Sequence, residues 1–171
     1  MTVALALASP TVAEGSQAGC AGADSPTSNV RVLKKTVLCL HNLERASRGL
    51  SKLGQNRSLS NAASKHARDM ASRHYFAHLS PERRDHMDRI AATSYKPAAG
   101  CWTAGENLYF SSGASTPRQL LSAWMRSAPH RKNILRKGWH DFALGVATTS
   151  PSGDRDGLTI VALFGTRGAS C

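Results

Sequence analysis

Apolar residues recur at three- and four-residue intervals from Val30 to His74, and beyond residue 100 that period gives way to short strand-like runs. Val30, Leu33, Val37, Leu40 and Leu43 mark a first helix, which Gly49 stops. Leu59, Ala62, Ala63, His66, Ala67, Met70, Ala71 and His74 form the stripe of a second, predicted to begin after Ser58 and end near His74, ahead of the break at Ser80-Pro81. Residues 83–93 predict a shorter helix. Thr116-Pro117 opens another, with a hydroxyl cap and proline at the first helical position, and Leu120, Leu121 and Trp124 give it an apolar face. Residues 128–135 predict a short turn or helix. Residues 141–149 and 157–165 read as strands joined by the turn-rich segment "SPSGDRD". Helices come first, then strands mixed with a helix, with no βαβ repeat. The expected fold class is α+β, with helices packed on an antiparallel sheet.

At 171 residues, 41% hydrophobic and 19% charged, the chain suits one globular domain. Lys and Arg outnumber Asp and Glu by 22 to 11, a net charge of +11 that favours anionic surroundings. The basic residues fall in separate patches, at 34–35, 83–84 and 130–137, without interleaved aromatics, so no nucleic-acid partner is expected. No run approaches the ~18 apolar residues of a membrane span.

Cys20, Cys39, Cys101 and Cys171 lack the close spacing of a zinc ribbon and fit two disulfides in an exported protein. Of the three connectivities, Cys20–Cys39 and Cys101–Cys171 are expected. The first staples the N-terminal segment to the helix bearing Cys39, and the second brings the last residue back beside the strand entering "GEN". Residues 1–29, rich in Ala, Gly, Ser and Pro, read as an export segment and linker, with the domain over 30–171. The export signal is partial: the run at 3–15 ends in small residues but has no basic start. "QAGC" at 17–20 has Gln17 where a lipidation site wants an aliphatic residue.

"TAGENLYF" at 103–110 places Glu106 inside an apolar run that otherwise reads as a buried strand. A carboxylate there must be paired, hydrogen-bonded or exposed in a cleft, and Gly105 before it marks a bulge or a close backbone approach. His66 lies on an apolar helix stripe and reads as a satisfied core residue. His78 falls past the second helix end and His130 follows another. His78, Glu106 and His130 thus come from three separate elements, as the ligands of a metal or acid–base site do. Two neutral imidazoles and a carboxylate suit Zn²⁺ with an open position. The same side chains without metal form a hydrogen-bonded group that braces the fold.

In order, "LHNLERASRGLSKL", "LSNAASKHARDMASRHYFAHLSP", "DRIAATSY", "AGENLYF", "AWMRSAPHRKNIL", "ALGVA" and "IVALFG" resemble the CAP superfamily (cysteine-rich secretory proteins, antigen 5, pathogenesis-related 1; also SCP) in its short bacterial form, over roughly residues 36–167. The resemblance implies an α-β-α sandwich, its sheet between helix layers, and a cleft holding two histidines and acidic residues. His78 matches the first family histidine, Glu106 the glutamate of "GEN" and His130 the second histidine. A second glutamate usual in plant and animal members is replaced by Ser127, and the glycine usual before the second histidine by Pro129. Family members bind sterols or other lipids, bind divalent metal, or act as secreted effectors.

The resulting expectation is a secreted, monomeric bacterial CAP protein. It is read as an extracytoplasmic binding module for a small-molecule, lipid or cell-wall ligand, with a cleft of His78, Glu106, Ser127 and His130. His78 and His130 are the expected Zn²⁺ ligands. The alternative is a metal-dependent peptide or ester hydrolase using His78, Glu106 and His130, with Glu106 as catalytic base. No Ser-nucleophile elbow or Ser-Lys pattern supports a covalent mechanism.

Overall fold

The computed structural model describes residues 19–169. In chain order the elements are α1 (Val30–Ala46), β1 (Gly54–Gln55), α2 (Arg57–Ser72), α3 (His86–Ala91), β2 (Cys101–Ser111), α4 (Pro117–Arg126), α5 (Ala128–Ile134), β3 (Asp141–Ala147) and β4 (Leu158–Gly168). Each longer helix starts at a side-chain cap. Asn29 accepts from the Arg31 and Val32 N–H groups and Asn56 from those of Ser58 and Leu59. Asp85 with Asp88, and Thr116 with Gln119, form reciprocal capping boxes.

The strands form one sheet in the order β1-β3-β4-β2. β4 pairs antiparallel with both β2 and β3, placing Glu106 opposite Leu163 and Phe142 opposite Phe164. The expectation of a wholly antiparallel sheet needs one correction: the short β1 pairs parallel with β3. Two residues carry no periodicity, so the sequence gives no sign of it.

Alternation along the central strands sorts the helices into two layers. Phe142, Leu144, Val146, Ile160, Ala162 and Phe164 bury one face against Leu33, Val37 and Leu40 of α1, Leu120, Leu121 and Trp124 of α4, and Ile134 of α5. Ala143, Val161, Leu163 and Leu108 bury the other against Leu59, Ala62, Ala63, Ala67 and Met70 of α2 and Ile90 of α3. Small residues let α2 lie close to the sheet; a Cβ on Gly145 would sit 2.1 Å from the Ala63 carbonyl carbon. The fold is an α-β-α sandwich with β2 on its edge.

The predicted second helix ends sooner than its stripe suggests. Ser72 closes it, and His74 takes a left-handed φ of 56° and bonds through Nδ1 to the Pro151 carbonyl at 3.0 Å. Arg45, fully buried at the end of α1, donates to the carbonyls of Ser51, Ile134 and Arg136 at 2.8, 2.8 and 2.9 Å. This clamp holds the end of α5 against α1.

Cys20 and Cys39 form a disulfide with Cα atoms 5.8 Å apart. The segment before α1 is tied to the body: Thr36 Oγ1 donates to the Ala21 carbonyl, and the Arg118 N–H to that of Ala23. Cys101 is disulfide-bonded; its expected partner Cys171, and residues 1–18 of the expected export segment, lie outside the described residues.

Candidate functional site

The three residues of "GEN" do three different things at the edge strand. Glu106 faces the α2 layer with Leu108, and its neighbour Asn107 faces the α5 layer. Asn107 is fully buried and donates through Nδ2 to the His130 carbonyl at 3.1 Å. Asn133 of α5 returns two bonds through Nδ2, to the Glu106 carbonyl at 3.1 Å and to Asn107 Oδ1 at 2.9 Å. The bond to the Glu106 carbonyl ties α5 directly to the backbone of the edge strand. Gly105 makes the approach sterically feasible, because a Cβ there would stand 2.9 Å from Asn133 Oδ1 and 3.1 Å from Trp139.

Glu106 is buried at 5% exposure, and both its oxygens are engaged. His78 Nδ1–H donates to Oε1 at 2.8 Å. Arg89 of α3 donates through Nη2 to Oε2 at 2.7 Å. Burial alone would raise the Glu106 pKa. The His78 hydrogen bond and the Arg89 charge outweigh it, with smaller help from His66, and hold the carboxyl below its usual value. Glu106 is an ionised anchor.

Arg89 also fixes the loop carrying His78, donating through Nη1 to the carbonyls of His78 at 2.9 Å and Arg84 at 2.7 Å. His66, buried on α2, donates through Nε2 to the Ala77 carbonyl at 3.0 Å and so pins the residue before His78. Its pKa is lowered by burial first and the Arg89 charge second. His66 is the satisfied core histidine that its stripe suggests, with a positioning role added.

His130 stands near the start of α5 and is half-buried. Its pKa is lowered, by burial first and by the His78 charge second. His78 lies on the loop after α2 and His130 on α5, the two elements on either side of β2 that bond to Glu106 and Asn107. Ser127 is the junction of α4 and α5; its N–H donates to the Trp124 carbonyl and its side chain makes no cap bond. Beside His78, Phe76 and Phe110 form an edge-to-face pair 4.8 Å apart, each about two-fifths exposed. That pair is an exposed apolar patch.

Among the described residues no three His, Cys, Asp or Glu side chains are grouped to hold a metal ion. With Glu106 committed to Arg89 and His78, the donors left on this edge are the free ring nitrogen of His78 and those of His130. The sequence marks Glu106 as anomalous, but gives no signal for Arg89, Asn107 or Asn133. Arg89 is one of several arginines in its stretch, and only the tertiary fold shows which one turns inward.

This architecture is that of the CAP class of α-β-α sandwiches. The chain belongs to the cysteine-rich secretory protein family, which it matches over residues 38–164. It is 37% identical over 123 residues to YkwD of Bacillus subtilis, covering 71% of this chain and 45% of that protein. The chain thus spans less than half the length of that relative. Among solved structures, it superposes on an extracellular SCP-domain protein from Bacillus anthracis with a TM-score of 0.66, at 24% identity over 78% of this chain and 40% of that one. An outer surface protein from Borrelia burgdorferi gives a TM-score of 0.67, at 18% identity over 78% of this chain and 92% of that one. These likenesses establish the fold.

Proposed function

We propose that the protein is a secreted, monomeric binding module whose cleft at the β2 edge receives an amphiphilic ligand. His78 and His130 take its polar group, and Phe76 and Phe110 its apolar part. The observation that carries this reading is the engagement of both Glu106 oxygens, by His78 and by Arg89. A carboxylate held ionised by an arginine orients its histidine well and abstracts protons poorly. That favours binding over the hydrolase alternative, in which Glu106 must serve as general base. The helix-bound hydroxyl junction at Ser127 supplies no competing nucleophile–base pair.

The cleft also suits a weakly held divalent ion. His78, whose Nδ1–H is given to Glu106, keeps Nε2 as its lone-pair atom, the usual arrangement of a metal-binding histidine with a carboxylate behind it. His78 and His130 would hold the ion, Glu106 would orient His78, and the Arg89 charge would limit affinity. Imidazole ligands favour Zn²⁺ over Mg²⁺. A bound Zn²⁺ would supply a polarising centre for a ligand's oxygen.

Titration calorimetry of the wild type and the His78→Ala/His130→Ala variant with Zn²⁺, at about pH 7.5 and about pH 5.5, tests the metal reading. Binding by the wild type alone, weaker at the lower pH because protons compete with the ion for imidazole nitrogen, is the expected result. Equal binding by both proteins removes the ion from this cleft.

A further inference from the structure

Three cavities carry basic residues, the first two adjoining and the third separate on α1. The first, about 280 Å³, lies between α2 and α3 and is lined by Lys65, His66, Ser80, Arg84 and Arg89 together with Asp69 and Glu82. The second, about 380 Å³, shares Lys65, Ala92 and Thr93 with it and adds Asn61, Ser64, Arg68 and Ser94. The third, about 440 Å³, is lined by Arg31, Lys34 and Lys35 of α1 with Leu38 and Gln55.

The carboxylates do not balance these cations. The second and third cavities have none among their lining residues. In the first, Arg73 already bridges both, reaching Asp69 at 3.4 Å and Glu82 at 2.7 Å, and Tyr75 donates to Asp69 as well. Lys65, Arg68 and Arg84 are exposed and make no ion pair with any described carboxylate. Like charges crowded this way cost stability unless an anion offsets them. At the Ser94 end, Arg167 binds the carbonyls of Ser94 and Tyr95 and extends the band.

The lining also selects among polyanions. Hydroxyls and an amide, from Ser64, Thr93, Ser94, Ser80 and Asn61, stand between the cations. No Phe, Tyr or Trp lines any of the three cavities. Single-stranded nucleic acid is held by base stacking on aromatic platforms, and this groove offers none. We infer that the band along α2 and α3 binds an extended, base-free polyanion of the phosphodiester-linked polyol class, with Lys65, Arg68 and Arg84 taking phosphates and the hydroxyl side chains taking polyol oxygens. The groove shares His66 and Arg89 with the surroundings of Glu106 but none of the residues proposed to take phosphate, so the inference stands apart from the cleft reading.

Fluorescence anisotropy with labelled poly(glycerol phosphate) on the full chain tests it. Lys65→Glu/Arg68→Glu and the control Lys132→Glu/Lys137→Glu remove the same charge at exposed positions, and thermal melts check that each variant folds. The groove reversal should weaken binding by roughly tenfold or more, and the control by about twofold or less, at near-physiological salt. The His78→Ala/His130→Ala variant should bind the polymer as the wild type does. Equal losses in the two charge reversals would reduce the effect to net charge and overturn the site. So would inorganic phosphate binding as tightly as the polymer, or a single-stranded oligonucleotide of equal charge binding more tightly.

Discussion

Glu106 on the edge strand and Arg89 on α3 form a buried ion pair at 2.7 Å, their side chains 1% and 12% exposed. Removing one partner of such a pair leaves the other charge uncompensated in a poorly solvated place. Glu106→Ala should therefore cost about 3 kcal/mol and loosen the His78 loop, since Arg89 also holds the His78 carbonyl. Glu106→Gln keeps an acceptor for Arg89 and should cost roughly 1 kcal/mol. The wild-type contribution is fully present above the unfolded carboxyl value of 4.5 and is lost as pH falls through the lower folded value. Denaturant melts of the three proteins at neutral pH check the order; equal stability of Ala and wild type would show that the pair contributes nothing.

The anomaly at Glu106 was legible because a carboxylate within Leu108, Tyr109 and Phe110 demands a partner. Its partner was not. Arg89 sits 17 residues away among Arg83 and Arg84, and the α3 pattern is too short for a period to say which arginine turns inward. That helices pack on a sheet was legible from the change of period at residue 100, whereas the α-β-α layer order rested on the family resemblance. The end of α2 was not, because the apolar stripe formally continues to His74 while the backbone turns left-handed there. The two histidines were legible as helix-end residues. How α5 is held to the sheet edge depends on Asn107 and Asn133, whose side-chain bonds leave no periodic trace.

Gly105→Ala tests whether α5 docking positions His130. The added Cβ would press on Asn133 Oδ1 and Trp139, and Trp139 is fully buried and cannot yield outward. A stability loss of about 1–3 kcal/mol is expected. NMR should show the His130 ring signals shifting while the His78–Glu106 hydrogen bond persists. Unchanged His130 signals with an unchanged melt would mean that α5 does not rely on this contact.

The Cys20–Cys39 bridge closes a loop of sequence separation 19 and ties the N-terminal segment onto α1. Cross-linking at that spacing removes conformational entropy from the unfolded chain, by about 3 kcal/mol. Cys20→Ala/Cys39→Ala should lose about that much stability and expose the segment ahead of Val30 to protease. The bonds of Glu106 to His78 and Arg89, on the far edge strand, should be unchanged. Retained wild-type melting would show that the packing of Ala23 and the Thr36–Ala21 bond suffices without the bridge.

His41 gives the fold a built-in acid sensitivity. It is fully buried on α1 among the rings of Trp124, Phe142 and Phe164, at centroid distances of 5.7, 4.8 and 5.8 Å. Its Nδ1–H donates to the Val37 carbonyl at 2.8 Å, and its Nε2 has no partner. Burial lowers its pKa from 6.5 to about 4; the Val37 bond opposes this and the Arg45 charge adds to it. Between those values the unfolded chain binds a proton that the folded chain refuses, so stability falls with pH across that window and levels off below it. His66 and His130, also lowered, act with the same sign, whereas Glu106 acts only below its unfolded value. From about pH 7 to about pH 5, His41 alone should account for a loss of about 2 kcal/mol. His41→Leu, which fits the apolar surroundings, should remove that share of the slope and leave the part due to His66 and His130. Urea denaturation of both proteins at the two pH values measures it, and parallel losses in wild type and variant would show that His41 is not the acid-sensitive core group.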